Sequence, residues 1–250
     1  MKLPVSIAQG VLAWLLLLHH SAKPNDTAKQ SPGAESSGSI SGIIKFKGEI
    51  PKSPVSDDAG LRRDLVEVDR ATRGLRDVVV SLVPLGSLGA DIRKPRPGRH
   101  PAQMDQREYS FVPRVLAVSQ GEAVVFTNSD PANHNVPTAS SAKSNEFNIY
   151  VSKGNKHEHR FVAQDRPIRV GCDIHPWMLG WIYVFDHPHF AVSDQRGEFR
   201  IGPVHPGNYT LLIEQPDIRS KKEQKINVMP GQAATVQIEL LAGLAFQPQE

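Results

Sequence analysis

Short apolar runs separated by proline and glycine are the feature that most constrains how this chain folds. The 250 residues include 20 Pro and 19 Gly, which divide the sequence at close intervals. The runs between them are rich in Val, Ile, Phe and Thr, the residues that favour β-strands, and no long helical period dominates. Clear examples are 77–83, 123–128, 168–172 and 181–185. We therefore predict an all-β chain whose short strands pack as a β-sandwich.

The first 22 residues have the pattern of an export signal. Lys2 supplies a positive start, and Val11–Leu18 is an apolar run that is short for a membrane-spanning helix. Small residues at 21–22 suit cleavage, and we expect an exported protein of the periplasm, cell envelope or extracellular space. If the signal is uncleaved, it is an N-terminal membrane anchor. Residues 23–39 are rich in Ser, Pro, Gly and Ala, which predicts a disordered linker.

One stretch, Cys172–Met178, combines three side chains that soft metals prefer. It holds the only cysteine of the chain, followed by His175 and then Met178 at intervals of three. Because exported proteins usually pair their cysteines, a lone one is a buried thiol, half of an intermolecular disulfide or a metal ligand. The neighbouring His and Met favour a ligand. With a second histidine, this set is that of a mononuclear blue-copper site with a weak axial Met.

His134 is the histidine that completes the set. It follows the predicted strand 123–128 and is flanked by prolines, which restrict the orientation of its ring. Loops at one end of a stiff sandwich hold ligands in fixed positions. We therefore predict that one copper ion is bound by His134, Cys172, His175 and Met178.

Three further residues are predicted to support the ligands. Asn135 is placed to tie the two ligand segments together by hydrogen bonds, with its backbone N–H directed at the sulfur of Cys172. Pro176 and Trp177 are expected to shield the metal. The edge of His175 is then the exit for an electron.

These motifs resemble those of the cupredoxins. The likeness rests on Phe111–Pro113, the hairpin 121–126, the triplet His134–Val136 and the Cys-x₂-His-x₂-Met spacing, which is closer to amicyanin than to plastocyanin. Over about 77–212, with Asn128–Pro131 as one mark, the chain is similar to exported bacterial cupredoxin-like proteins often labelled methylamine-utilisation proteins. The resemblance implies a Greek-key β-sandwich with one type-1 copper ion, which carries electrons to or from a redox partner protein.

A second β unit follows at the C terminus. The pattern from Asp194 to Phe199 and that from Pro206 to Leu211 resemble the carboxypeptidase regulatory-like domain, a small transthyretin-like β-sandwich without catalytic residues of its own. Residues 191–201 are predicted to form a hairpin about an Asp-to-Gly turn.

The predicted domain limits follow from these patterns. They are 1–22 for the signal, 23–39 for the linker, 40–76 for an N-terminal β segment, 77–188 for the copper domain, 189–242 for the C-terminal domain and 243–250 for a tail. In an alternative topology, the strand that begins at Ile40 packs on the C-terminal unit and the copper domain is an insertion.

Other functions are less well supported by the sequence. The pairs His157/His159 and His187/His189 are too few for a multicopper oxidase, which needs several such pairs for a trinuclear cluster, one of them straddling the cysteine. A nucleophilic Cys172 would be shielded from substrate, and no Gly-x-Ser-x-Gly or phosphate-binding loop is present, so we predict no enzymatic activity.

Charge gives little support for a polyanionic partner. The net charge of +3 is weak and basic residues do not alternate with aromatic ones, so we predict no nucleic-acid binding. Two functions remain: an electron carrier, or a copper-binding, storage or structural module without electron transfer.

Overall fold

The computed structural model describes residues 36–50, 55–56, 62–63, 66–85 and 101–242. The predicted signal at 1–22, the linker up to residue 35 and the tail at 243–250 lie outside the described residues. Nearly every regular element within the described ranges is a strand, which confirms the all-β fold class. These ranges contain no helix with the length and apolarity needed to cross a bilayer.

The strands follow one another along the chain with one short 3₁₀ turn among them. The first half comprises β1 (Gly38–Phe46), β2 (Val55–Ser56), β3 (Arg62–Arg63), β4 (Val79–Pro84), β5 (Ala102–Arg107), β6 (Ser110–Val112), β7 (Val115–Ser119), β8 (Ala123–Asn128) and β9 (His134–Ala139). After the 3₁₀ turn (Lys143–Asn145) come β10 (Asn148–Val151), β11 (Lys156–Arg160), β12 (Ile168–Gly171), β13 (Leu179–Phe185), β14 (Phe190–Val192), β15 (Glu198–Val204), β16 (Gly207–Gln215), β17 (Ser220–Val228) and β18 (Ala233–Leu240).

Strands β5 to β13 form a sandwich of two sheets. One sheet has the order β10-β9-β12-β13-β7 and the other the order β11-β8-β5-β6. Pairs β13–β7 and β5–β8 are parallel, and the remaining neighbours are antiparallel. Alternate side chains point inward and build one core, which contains Met104, Phe111, Phe126, Phe161, Ile168, Cys172, Met178 and Ile182.

Strand β5 has no counterpart among the strands predicted from sequence. Its residues are Ala-Gln-Met-Asp-Gln-Arg, so only Met104 among its central residues is strongly apolar. That side chain is fully buried in the core, and the strand pairs with both β6 and β8. Pairing and one buried anchor therefore decide the conformation of this segment, because the local sequence carries little strand propensity.

The remaining long strands form a second sandwich. Its sheets have the orders β15-β1-β18 and β14-β4-β16-β17. Strand β1 is antiparallel to β15 and parallel to β18. The core between the sheets contains Ile40, Ile44, Leu75, Val80, Leu82, Ile201, Tyr209, Leu211, Ile213 and Ile238. The N-terminal strand thus pairs with C-terminal strands, the arrangement of the alternative topology.

Three expectations from sequence are wrong in detail. Gly38 and Ser39, placed in the linker, begin β1. Strand β4, placed in the copper domain by the limit at 77, lies between β14 and β16. Residues 191–201 form no hairpin, since β14 pairs with β4 whereas β15 pairs with β1. An apolar run specifies a buried strand but not its partner. The limits of independently folding domains stay a prediction.

Strand β4 is buried on both faces from Val79 to Leu82, with Ser81 as the polar residue of this stretch, and becomes exposed at Val83. Val80 and Leu82 face the core of the second sandwich. Val79 faces the other way and packs with Val115 and Tyr183 of the first sandwich. A segment covered on both sides is apolar at successive positions, as at Val79 and Val80, rather than at alternate ones.

An ion pair lies beside this apolar contact between the sandwiches. Arg114, just before β7, donates to both carboxylate oxygens of Asp217, in the turn between β16 and β17. Trp181 of β13 donates its Nε1–H to the same carboxylate at 2.9 Å. The Asp217 side chain is 1% exposed, so its charge depends on these donors rather than on water.

This pairing predicts a non-additive effect on stability. We expect Arg114→Met to lower the free energy of unfolding by about 3–5 kcal/mol, because it leaves a buried carboxylate without its cation. Asp217→Leu alone is expected to be similarly harmful. The double variant should recover part of the loss, since neither member of this pair is then left alone, and the remaining loss includes the contact of Arg114 with Asp77. Urea unfolding of the four proteins measures the coupling; single losses that simply add would contradict it.

Asp77 introduces a pH-dependent contribution at the same contact. Burial raises the pKa of Asp77 to about 6, although the nearby guanidinium groups of Arg114 and Arg76 act to lower it. The folded protein therefore binds this proton more tightly than the unfolded chain does. The resulting stabilisation is complete below about pH 4 and is lost as the pH rises through about 6.

Asp77→Asn should remove this decline in stability. The amide has the shape of the carboxyl and tolerates the positive φ of 61° at this position. We expect the variant to be more stable than the parent at pH 8 by about 1–3 kcal/mol and equal to it near pH 4. Thermal unfolding from pH 4 to 8 tests this, with Asp165→Asn on the surface as the control that keeps the parent profile.

Candidate metal centre

Two segments distant in sequence meet at one end of the first sandwich. Cys172 directly follows β12, and the loop ends at Met178, directly before β13. His134 is the first residue of β9, rather than lying in a loop as the sequence predicted. Strand β9 is antiparallel to β12, with Thr138 opposite Val170. The start of β9 therefore lies beside the loop that leaves β12.

Three of the four predicted ligands have their donor atoms together. The Nδ1 atoms of His134 and His175 are 2.9 Å apart. The sulfur of Cys172 is 3.8 Å from Nδ1 of His134 and 3.9 Å from Nδ1 of His175. The exposed fractions are 0% for His134, 5% for Cys172 and 9% for His175. The structure thus forms a compact, buried cluster of two nitrogens and one sulfur.

Met178 lies at the end of the same loop. Its side chain is buried in the core that also contains Cys172. Its backbone N–H donates to the carbonyl oxygen of His175 at 2.9 Å, which closes the loop as a tight turn. Coordination of a metal by its sulfur stays a prediction.

The cluster fits a soft metal ion. Imidazole nitrogen and thiolate sulfur are bound by metals at about 2.0 and 2.3 Å, so donors on one ion lie within about 4 Å of each other. The Sγ–Nδ1 separations of 3.8 and 3.9 Å meet this condition. Within the described ranges, His134, Cys172 and His175 are three potential metal ligands whose donor atoms all lie within 4.8 Å of one another.

Asn135 joins the two ligand segments, in the place that the sequence predicted. Its Oδ1 accepts from the backbone N–H of Asp173 at 2.8 Å, and its Nδ2 donates to Oδ2 of Asp173 at 2.6 Å. The same Nδ2 donates to Asn148 of β10 at 3.0 Å. Contact with the Cys172 thiol is made through Oδ1, at 3.4 Å, so the side chain rather than the backbone N–H reaches the sulfur.

Asp130 contacts a predicted ligand, although its sequence context does not single it out. Its Oδ2 lies 2.9 Å from Nε2 of His134, on the far side of the ring from the cluster. Both side chains are buried, at 4% and 0% exposure. In the sequence, Asp130 is marked only by its position in a turn four residues before His134. Such a spacing is too common to identify a contact between the two side chains.

Tyr109 is a second contact that sequence did not reveal. Its ring is edge-on to His134 and to His175, with centroids 5.6 and 5.1 Å away. It lies with Glu108 in the two-residue turn between β5 and β6, and both have positive φ. For non-glycine residues such a conformation costs about 1–3 kcal/mol each, and it persists where surrounding contacts enforce it.

The two residues predicted to shield the metal differ in position. Trp177 is half-buried, and its ring centroid is 5.1 Å from that of His175. Pro176 is exposed. Their shielding roles stay predictions, although the packing of Trp177 on a ligand ring favours its part.

The other histidine pairs lie outside this cluster. His157 and His159 alternate on β11 and contact the ring of Phe147, with centroids 5.8 and 4.7 Å away. Burial lowers the pKa of His159. His187 and His189 precede β14, with ring centroids 6.3 Å apart.

The Asn135 network predicts a local stability effect in the metal-free protein. Asn135→Ala removes a buried amide and leaves the Asp173 N–H without its acceptor, so we expect a loss of about 1–3 kcal/mol. Asn148→Ala is the matched control, because Asn148 shares two bonds of the network but is exposed. Urea unfolding of both variants measures the difference. Equal losses would show that the buried bonds of Asn135 contribute no more to stability than the exposed bonds of Asn148.

Comparisons with known proteins give partial structural similarities. No protein-family profile matches the chain. No curated protein matches it significantly either. Among solved structures, a purple cupredoxin from Nitrosopumilus maritimus is 24% identical over 33% of this chain and 98% of its own, with a TM-score of 0.30. An amicyanin variant in the reduced state is 18% identical over 42% of this chain and 98% of its own, with a TM-score of 0.31.

A larger protein shows a similar partial likeness. The copper-containing nitrite reductase NirK from Thermus scotoductus SA-01 is 22% identical over 41% of this chain and 28% of its own, with a TM-score of 0.32. This chain therefore matches just over a quarter of that enzyme. At such identities and TM-scores the similarities are too low to support a conclusion about function, which depends on the His134–Cys172–His175 cluster itself.

Proposed function

We propose that this chain is a cupredoxin-type protein that binds one type-1 copper ion and carries single electrons. His134, Cys172 and His175 are the strong ligands, and Met178 is the weak axial one. The observation that carries the proposal is the buried cluster of two Nδ1 atoms and one thiol sulfur, all within 4.8 Å. Imidazole and thiolate in this ratio suit copper in both of its common oxidation states.

The chain contributes rigidity around the ligands. Copper bound to these donors would accept and release one electron. The flanking strands β9, β12 and β13 are hydrogen-bonded neighbours, so the ligand positions are set before any metal arrives. Asn135 bonds across the two ligand segments, and the core below excludes water from Cys172. If this frame keeps the ligand geometry nearly the same in both oxidation states, little reorganisation of the site opposes electron transfer.

Electron exchange with a partner protein is proposed to occur near His175. This ligand is the most exposed of the three in the cluster, at 9%. Its neighbour Ile174 is 45% exposed and supplies apolar surface beside it. The burial of Cys172 disfavours nucleophilic chemistry on a substrate, so we propose a carrier rather than an enzyme. The signal-like N-terminal sequence supports export to the periplasm or cell envelope.

Copper loading tests this proposal and its alternative. Adding Cu(II) to the metal-free protein should give an intense absorption band at about 600 nm, as expected of a thiolate–copper site. Cys172→Ser should abolish the band. Met178→Leu should retain copper but change the reduction potential, whereas Met229→Leu, a surface control at 51% exposure, should change neither. Folded protein that takes up copper without the band would overturn the carrier and favour storage or a structural role.

A further inference from the structure

One carboxylate determines which nitrogen of His134 faces the cluster. Oδ2 of Asp130 lies 2.9 Å from Nε2 of His134, and both side chains are almost fully buried. A carboxylate accepts hydrogen bonds and does not donate them, so Nε2 is the donor. Because Nε2 carries the proton in this bond, the neutral ring has no proton on Nδ1. That Nδ1 is the atom that lies 3.8 Å from Sγ of Cys172 and 2.9 Å from Nδ1 of His175. Asp130 therefore holds the ring in the tautomer that can bind a metal.

The carboxylate is itself held from two sides. Its Oδ2 also accepts from the backbone N–H of Tyr109 at 3.0 Å. The backbone N–H of Asp130 donates to Oδ1 of Asn128 at 2.9 Å. Nδ2 of Asn128 in turn donates to the carbonyl oxygens of Ala132 and Val151, at 2.8 and 2.7 Å. The charge is thus fixed in direction and shielded from water, unlike that of a surface carboxylate.

The Tyr109 turn supplies two contacts to this arrangement. Glu108 and Tyr109 adopt φ angles of 52° and 55°, as a two-residue hairpin turn with positive φ at both positions requires. The turn places the Tyr109 N–H on the Asp130 oxygen and the Tyr109 ring against both imidazoles.

We propose that Asp130 is a positioning residue that sets the metal-binding tautomer of His134 and lowers the reduction potential of copper bound there. This inference rests on the proposed copper site. A carboxylate hydrogen-bonded to the outer nitrogen of a ligand imidazole raises the basicity of the inner one. Its negative charge stabilises Cu(II) more than Cu(I), because the attraction grows with the charge of the ion. Both effects favour the oxidised state and lower the potential.

Asp130→Asn is the variant that separates charge from shape. The amide oxygen can accept from both Nε2–H and the Tyr109 N–H, so the hydrogen bonds are retained while the charge is lost. We expect the ratio of Cu(II) to Cu(I) affinity to fall about tenfold. For a one-electron couple this raises the reduction potential by about 59 mV. Asp165→Asn makes the same charge change on the surface and should leave the potential unchanged.

The two proposals fail in different ways. If the parent protein forms the copper site and Asp130→Asn has the potential of the Asp165→Asn control, the role of Asp130 is wrong and the copper function stands. If the parent protein takes up copper without the thiolate band, the proposed function fails first. Voltammetry of the copper-loaded proteins decides between these outcomes.

A measurement on the metal-free parent protein covers the case in which Asp130→Asn does not fold. In ¹⁵N spectra at a pH where His134 is neutral, the ring should carry its proton on Nε2. Observation of the Nδ1–H tautomer would overturn the positioning role without any variant or metal. Observation of the Nε2–H tautomer supports it independently of copper loading.

Discussion

The antiparallel pairing of β9 with β12 is the constraint on which the candidate metal centre depends. Residues 134 and 172 are far apart in sequence, and only this pairing brings the start of one strand beside the end of the other. Because side chains alternate along a strand, the register also determines which residues face the core. A shift of one residue would turn His134 outward and Asn135 inward. The hydrogen bonds of Asn135 to Asp173 reinforce the register at the point where the ladder gives way to the loop.

The buried carboxylates of Asp130 and Asp217 are stabilised in different ways. At the candidate metal centre, the Asp130 carboxylate accepts hydrogen bonds from a histidine ring and from a backbone N–H, neither of which needs to carry a full charge. Between the sandwiches, the Asp217 carboxylate accepts hydrogen bonds from the charged guanidinium of Arg114 and from the indole N–H of Trp181. The arrangement at Asp217 neutralises its charge within the protein. The arrangement at Asp130 leaves a negative charge beside a site suited to a cation, which is the physical basis for assigning it an electrostatic role.

Much of the site could be predicted because its chemistry is local. Cys172, His175 and Met178 lie on one loop, and a lone cysteine in an export-type sequence points to metal binding. His134 and Asn135 could be proposed because a predicted strand precedes them. Asp130 and Tyr109 could not, since their roles depend on a turn and a hairpin that meet only in the folded chain. Strand β5, which positions Tyr109, carries too few apolar residues to be recognised from sequence.

The sequence by itself determined the all-β class and the soft donor set, because strand propensity and ligand chemistry are properties of the residues. Tertiary structure alone decided the partners of the strands. The run at 77–83 was recognisable as a strand, yet the place of β4 between β14 and β16 depends on which apolar faces are complementary in three dimensions. The same holds for β1, which pairs with β15 and β18 from the far end of the chain. Alternation of apolar residues specifies which face of a strand is buried. It does not specify the partner, because any apolar face of similar shape can cover that face equally well.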